Sequence, residues 1–508
     1  MLLAALLLQV VADTGGALRT ALEAVSGPER STLDSVYQAT GWRPLWVRDT
    51  GGGPVALAIQ GALAAAHERG LDPADYPASR TAWHATDADA QARADVALTR
   101  DALRMARALA RGRVIPHVVD SETVLVGRPF DGVQVLAALA ASGDVVASLD
   151  LLEPADPEYW RLRRALPALR QVADTATPWD GSALPRLLRH GDSGIAVVHL
   201  RARLVQLGFL AADSVAGDRF DSTLVAAVAA FQRDNGLAAD GVVGPASRDA
   251  LAIPMSWRVR QAELTLERWR WFGDPGGGLV IDVDVTAAMV RLREGLTWGT
   301  LFEGRAVVGA LDTPTPVMES EVRRIVFNPV WIVPNSIARK ESLPKFVADS
   351  TAFARGRYQL TRAGAVVPPT PENLADIGRT VTLRQLPGPV NSLGRIKLDV
   401  AGASAIHLHD TPSRSLFARD VRLLSHGCIR VEHPGALAEL LLRGVWEPAQ
   451  VARAARDTVT RAVNLPRPVP VRMLYVTASA DSTGTVTFRP DPYGRDAALD
   501  RALRAGHH

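Results

Sequence analysis

Ala405-Ile406-His407-Leu408-His409-Asp410 alternates apolar and polar residues with a period of two. In a strand this sets His407 and His409 on one face and turns Ile406 and Leu408 to the other, toward a core. Nineteen residues after His409 stands Cys428, inside Ser425-His426-Gly427-Cys428-Ile429-Arg430. β-Branched or alternating runs recur at 279–285, 305–309, 396–400 and 471–476, so residues 279–490 read as a β-rich domain. Between them, residues 331–386 lose the strand rhythm. They carry Pro334, Pro344, Pro368, Pro369 and Pro371 and a helical patch near Ser336 to Phe346. This predicts an insertion that caps an active site.

The chain upstream is helical in texture. Apolar residues recur at helical spacing in 56–63 and 96–103, and breakers such as Asp72-Pro73 and Glu153-Pro154 divide the pieces. Residues 17–175 therefore read as a helical scaffold, with Trp46, Trp83 and Trp160 as packing residues. A linker over 175–183 leads to a compact unit at 184–253. It holds one amphipathic helix closed by Gly208, a second carrying Val225, Val228 and Phe231 on one face, and a third short helix after Gly244-Pro245. Residues 491–508 read as a polar tail, helical or frayed, ending in His507-His508. The expected fold class is thus multidomain α+β.

The 508 residues suffice for two to four domains. A near balance of 57 basic and 54 acidic residues gives nucleic-acid binding no support from charge. A single cysteine excludes an internal disulfide and any multi-cysteine metal site. Met1 to Ala12 is almost wholly apolar, yet no Lys or Arg precedes Arg19. This start reads as a truncated export signal with small residues at its cleavage site, or as the first turn of a buried helix. No other run approaches the roughly 18 apolar residues of a membrane span, so no stable span is expected in the mature protein.

Acyl transfer at a thiol needs a base, because a free cysteine with a pKa near 8.5 is only slightly ionised at neutral pH. An imidazole supplies that base and later protonates the leaving amine. It also needs donors for the tetrahedral oxyanion, and Gly427 lets backbone N–H groups approach closely. Cys428 is the one thiol, and His407 and His409, on one face of the same strand, are the imidazoles that could serve it.

The hexapeptide around Cys428 resembles the signature of the YkuD-type L,D-transpeptidases, and His409 stands where that family has its catalytic histidine. Phe327-Asn328-Pro329-Val330-Trp331, Pro387-Gly388-Pro389-Val390-Asn391-Ser392-Leu393-Gly394 and Leu408-His409-Asp410-Thr411-Pro412 resemble the large periplasmic YcbB-like branch. Arg189-His190-Gly191-Asp192-Ser193-Gly194, Val228-Ala229-Ala230-Phe231-Gln232 and Asp240-Gly241-Val242-Val243-Gly244-Pro245 resemble the three-helix peptidoglycan-binding module. The resemblance implies a helical scaffold, that module, and an L,D-transpeptidase catalytic domain with a capping insertion. It implies that Cys428 attacks the third-residue carbonyl of a tetrapeptide stem and releases D-alanine, and that a second stem's amine resolves the thioester. The implied partners are stem peptides and glycan strands, with cell-wall synthases as further partners, in the periplasm or cell envelope. No cofactor or metal is implied, and carbapenems are expected to acylate the same thiol.

Around the Cys428–His409 pair, Gly427, His426 and Ser425 are expected to line the pocket and oxyanion site. Arg430, His407, Trp331 and Asn391 are the candidates for substrate contact, with packing the alternative for Trp331 and a structural role the alternative for Asn391. Other acceptors would make the same enzyme an L,D-carboxypeptidase, a protein-anchoring enzyme or a D-amino-acid exchanger. A non-catalytic wall-binding scaffold is the alternative of another class. A zinc site built from His407, His409 and His433 lacks any zinc-peptidase motif around it.

Overall fold

A computed structural model describes residues 15–48, 51–81, 83, 87–125, 127–175, 179, 184–402 and 406–506. The apolar start Met1–Ala12, most of the linker and His507-His508 lie outside the described residues.

The C-terminal half is built on nine strands: β1 (Leu279–Asp284), β2 (Met289–Glu294), β3 (Thr300–Gly309), β4 (Met318–Phe327), β5 (Ile396–Val400), β6 (Leu408–His409), β7 (Leu423–Ser425), β8 (Ile429–Val431) and β9 (Arg461–Leu474). Their order is β7-β3-β8-β6-β5-β4-β9-β1-β2, and a β2–β3 pairing closes eight of them into a ring. Closure leaves no free edge on the ring. The alternation explains the facing of each strand. In β5, Ile396, Leu398 and Val400 are buried while Lys397 and Asp399 are partly exposed. Leu398, Leu408, Ile429, Ile325 and Val471 meet in one core without solvent exposure.

Helical elements surround this barrel. The scaffold has its own core around α1 (Ala88–Arg111), where Leu98, Leu103 and Leu109 meet Leu18, Leu33 and Tyr37. Asp87 caps α1 by accepting from the Asp89 and Ala90 N–H groups. α2 (Pro157–Thr175) packs on the barrel and on the small module formed by α3 (Ile195–Gln206), α4 (Ser222–Asp234) and α5 (Pro245–Leu251). The apolar residues of the module, among them Val197, Leu200, Phe220 and Phe231, belong to the same core as the barrel. The unit is therefore packed against its neighbours rather than strung beside them. α6 (Met255–Trp269) joins it to β1.

Two elements depart from the sequence reading. Residues 331–386 lie between β4 and β5 and hold a helical stretch, but they also contain a four-stranded sheet from Trp331–Ile332, Tyr358–Arg362, Ala365–Val367 and Val381–Gln385. That sheet covers a separate core of Val333, Phe346, Leu360, Val381 and Leu383. The strands are short and partly exposed, so they lack the alternation that marks the barrel. The segment after Asp491 is helical over Arg495–Arg504, and it is docked rather than frayed. Leu499, Ala502 and Leu503 sit against Val114, Leu264 and Trp271, and buried Asp496 pairs with Arg268 at 2.7 Å.

Candidate active site

Strand pairing brings the two halves of the site together. β6 and β8 run parallel, with Leu408 opposite Ile429 and His409 opposite Arg430. The Ile429 N–H donates to the His407 carbonyl at 2.9 Å, which fixes Cys428 beside His407. Paired residues in register share a face. Leu408 and Ile429 are buried in the barrel, so His407, His409, Cys428 and Arg430 all lie on the opposite face. The nineteen-residue gap is thus spanned by β7 and its loops, and it ends with His409 on β6 and Cys428 immediately before the adjacent β8.

Burial dominates their electrostatics. It pushes the Cys428 thiol above its ordinary value, while a hydrogen bond with the His407 backbone and the charges of Lys397 and Arg430 pull it down. Burial lowers His409 to about 3 and His407 to about 4. Both rings are therefore neutral at neutral pH, and a neutral imidazole is the form that takes a proton from a thiol. His409 Nδ1 lies 2.5 Å from the Asp410 carbonyl oxygen. That contact assigns the proton to Nδ1 and leaves Nε2 as the basic atom. Burial also lowers the Arg430 pKa, against the attraction of Cys428.

The turn before Cys428 is held from several sides. Gly427 sits at φ 95°, where a side chain is disfavoured, and an added Cβ would come within 3.2 Å of Ile406. Ser425 Oγ donates to the Cys428 carbonyl at 2.5 Å, and Thr315 Oγ1 donates to the Gly427 carbonyl at 2.8 Å. Ser425 thus shapes the turn from inside. His426 is exposed and reaches the insertion, with Nε2 2.5 Å from Glu341 Oε1. This contact ties the insertion to the loop that carries Cys428.

The remaining candidates divide. Asn391, offered above as a substrate contact, is fully buried. Its side-chain nitrogen donates to the Pro329, Gln385 and Leu386 carbonyls, and its oxygen accepts from the Leu393 N–H. Its hydrogen-bonding capacity is spent on the base of the insertion, so substrate contact is replaced by a structural role. Trp331 packs on the insertion's own core. Among the described residues no group of three His, Cys, Asp or Glu side chains is placed to hold a metal ion, and His433 lies near Glu432, at 4.0 Å.

Some residues of the site were not singled out from sequence. Lys397 is opposite His409 across β5–β6, and Asp399 pairs with Arg324 across β4–β5. Alternation in 396–400 sets Lys397 and Asp399 on one face, but only the pairing shows that this is the face of Cys428. Thr315 and Glu341 arrive from distant segments and leave no local signal.

The chain matches three family models: a scaffold domain over residues 31–166, a "Putative peptidoglycan binding domain" over 193–251, and the L,D-transpeptidase catalytic domain YkuD over 278–456. A Haemophilus influenzae protein named "Putative L,D-transpeptidase" is 34% identical over 206 residues, 40% of this chain. The match spans 42% of that protein's length. The crystal structure of an L,D-transpeptidase from Xylanimonas cellulosilytica aligns with 57% of this chain and 98% of its own, at 16% identity and a TM-score of 0.17. A fused Zn-dependent amidase/peptidase with a peptidoglycan-binding domain, from Clostridium acetobutylicum, aligns with 57% and 99% at 14% identity and a TM-score of 0.16. At those scores neither superposition carries an argument about fold or chemistry.

Proposed function

We propose, from the premise that this chain carries a YkuD-type L,D-transpeptidase catalytic domain behind a scaffold domain and a peptidoglycan-binding domain, that it cross-links peptidoglycan stems through Cys428. In the first half-reaction, His409 Nε2 takes the thiol proton as Sγ attacks the third-residue carbonyl of a tetrapeptide stem. The turn at Gly427 offers backbone N–H groups to the oxyanion. Collapse of the adduct expels D-alanine, whose nitrogen receives the proton from His409, and leaves a thioester. In the second half, the side-chain amine of another stem attacks the thioester and gives its proton to His409. The amide linking two third residues leaves, and the proton returns to the thiol.

The observation that carries this reading is the parallel β6–β8 pairing, which sets His409 and Cys428 on one face of the barrel. Domains that act on peptidoglycan place the work at the cell envelope; we assign it to the periplasmic side. Among the described residues no helix is long and apolar enough to cross a membrane. Carbapenems are expected to acylate Cys428, and cell-wall synthases are the expected partners.

Incubating the purified chain with tetrapeptide stems and reading intact mass tests the proposal. The expected adduct is lighter than the donor by one alanine, is located on Cys428 and is followed by a dimer. Cys428→Ala is expected to form no adduct. His409→Gln is expected to slow acylation by about 10²–10⁴-fold. A tripeptide product without dimer would assign water as the acceptor. Absence of both adduct and product would leave a wall-binding role.

A further inference from the structure

The outward residues of five neighbouring strands form one row that begins at the nucleophile. The β6–β8 register sets Cys428 beside His407, and the β5–β6 register sets His407 beside Asp399. Asp399 pairs with Arg324, and Arg324 with Asn464. At about 4.8 Å per strand, Asp399 lies two strands, roughly 10 Å, from Cys428, and Arg324 a further strand away. An open cleft runs over this row, lined by His407, Asp399, Lys397, Arg324 and Asn464.

Charge in the cleft is unbalanced. The Asp399 carboxylate accepts from Arg324 Nε at 2.5 Å and pairs with Lys397 Nζ at 2.7 Å. One negative charge against two positive ones leaves a surplus cation facing the opening. Arg324 is half exposed, and its two Nη groups have no other partner among the described residues. They form the open side of a guanidinium fork, suited to a planar oxyanion. His407 Nδ1 is buried without a hydrogen-bond partner, 4.0 Å from Asp399. The ring thus lines the floor of the cleft beside Asp399, and the open side of the cleft is formed by Arg324 and Lys397.

We propose that this cleft is a carboxylate subsite for the bound stem, with Arg324 and Lys397 as specificity-determining residues and Asp399 as the residue that positions them. The inference rests on the stem-peptide reading above and names where the stem's charge is held. A stem lying across the strands from Cys428 carries two carboxylates of this kind: that of its second residue and that at the end of its third side chain. Each is separated from the reacting carbonyl by seven or so bonds, on the order of 8 Å. With the reach of the Lys397 and Arg324 side chains, that length spans the gap from the thiol.

The test uses the full chain as Cys428→Ala, so that binding is read without chemistry. Three tetrapeptide stems are titrated calorimetrically: one with both carboxylates free, one amidated at the second residue, and one amidated at the third side chain. One amidation is expected to weaken binding about tenfold, the loss of one charge-assisted contact, and so to identify which carboxylate is held. Adding Arg324→Gln or Lys397→Gln is expected to weaken the free stem about tenfold and leave that amidated stem unchanged, while Arg324→Lys retains part of the preference. The subsite is overturned if both variants keep the parent's ratio of free to amidated binding, or if the parent binds no stem. Acyl-enzyme formation by the Cys428 protein is read separately. A carboxylate preference that depends on Arg324, without any acyl-enzyme, keeps the subsite and removes the transpeptidase reading. Acylation with indifferent binding does the reverse.

Discussion

His407 and His409 are held neutral by burial, at about 4 and about 3, against an ordinary value of 6.5. In the unfolded chain both rings take a proton as pH falls through 6.5, while in the folded chain they stay neutral until pH 4 to 3. The unfolded state therefore binds more protons across that window, and stability falls as the solution is acidified. Urea unfolding between pH 7 and pH 4 is expected to show a falling midpoint. A His407→Gln variant is expected to have a shallower slope, because one of the two rings no longer contributes. A slope unaffected by removing His407 would contradict its buried neutral state. Burial moves the thiol the other way, raising the Cys428 pKa and favouring its protonated form, so in the proposed reaction a base must take its proton.

The capping insertion behaves as an element in its own right, because its core is separate from that of the barrel. Phe346 packs edge-on against Phe353 and Tyr358, with ring centroids 5.2 and 5.1 Å away. Phe346→Ala is expected to cost about 3–5 kcal/mol locally. Hydrogen exchange is expected to show lost protection across 331–386, with the strands of the barrel unchanged. Protection lost equally in β5 and β6 would mean that the two cores act as one. The insertion was legible in the sequence through its prolines, but its strands were not, since Trp331–Ile332 and Ala365–Val367 are too short to show a period. Alternation around Leu408 did reveal the face that carries His409, because Leu408 is fully buried in the barrel and Ile406 packs against the same core. For Asn391 the sequence left substrate contact and a structural role both open, because a polar residue in a Gly/Pro-rich loop looks the same whether its amide meets substrate or backbone; its hydrogen bonds favour the structural role. The tail's helix was one of the two readings, but its docking was not legible, because its apolar residues are few and its buried acids are paired with arginines of α6, far back in the chain.

At the scale of the whole molecule, the scaffold and the barrel are joined by buried charge as well as by apolar packing. Asp156, just before α2, accepts from Arg293 at 2.7 Å and from Arg472 at 2.9 Å, and both arginines also bind Asp282. Asp156→Ala leaves two buried guanidinium groups facing one carboxylate. It is expected to cost about 3–5 kcal/mol, read as a lower urea midpoint for scaffold and barrel together. Asp156→Asn, which keeps a hydrogen-bonding oxygen, is expected to cost less. The docked helix at Arg495–Arg504 makes a second tie. Arg495 bonds Asp120 of the scaffold at 2.5 Å and donates to the Thr315 carbonyl at 2.9 Å, while Tyr493 donates to the Gly309 carbonyl at 2.6 Å. Thr315 is also the residue whose hydroxyl holds Gly427. The turn at Gly427 is therefore braced by a segment that follows every strand of the barrel in the chain. The brace on the Gly427 turn thus comes from outside the barrel, so removing residues 491–504 is expected to loosen the setting of Cys428 while leaving every strand of the barrel in place. A chain stopped after Pro490 is expected to keep its β-sheet circular dichroism and to form the stem adduct at least about tenfold more slowly.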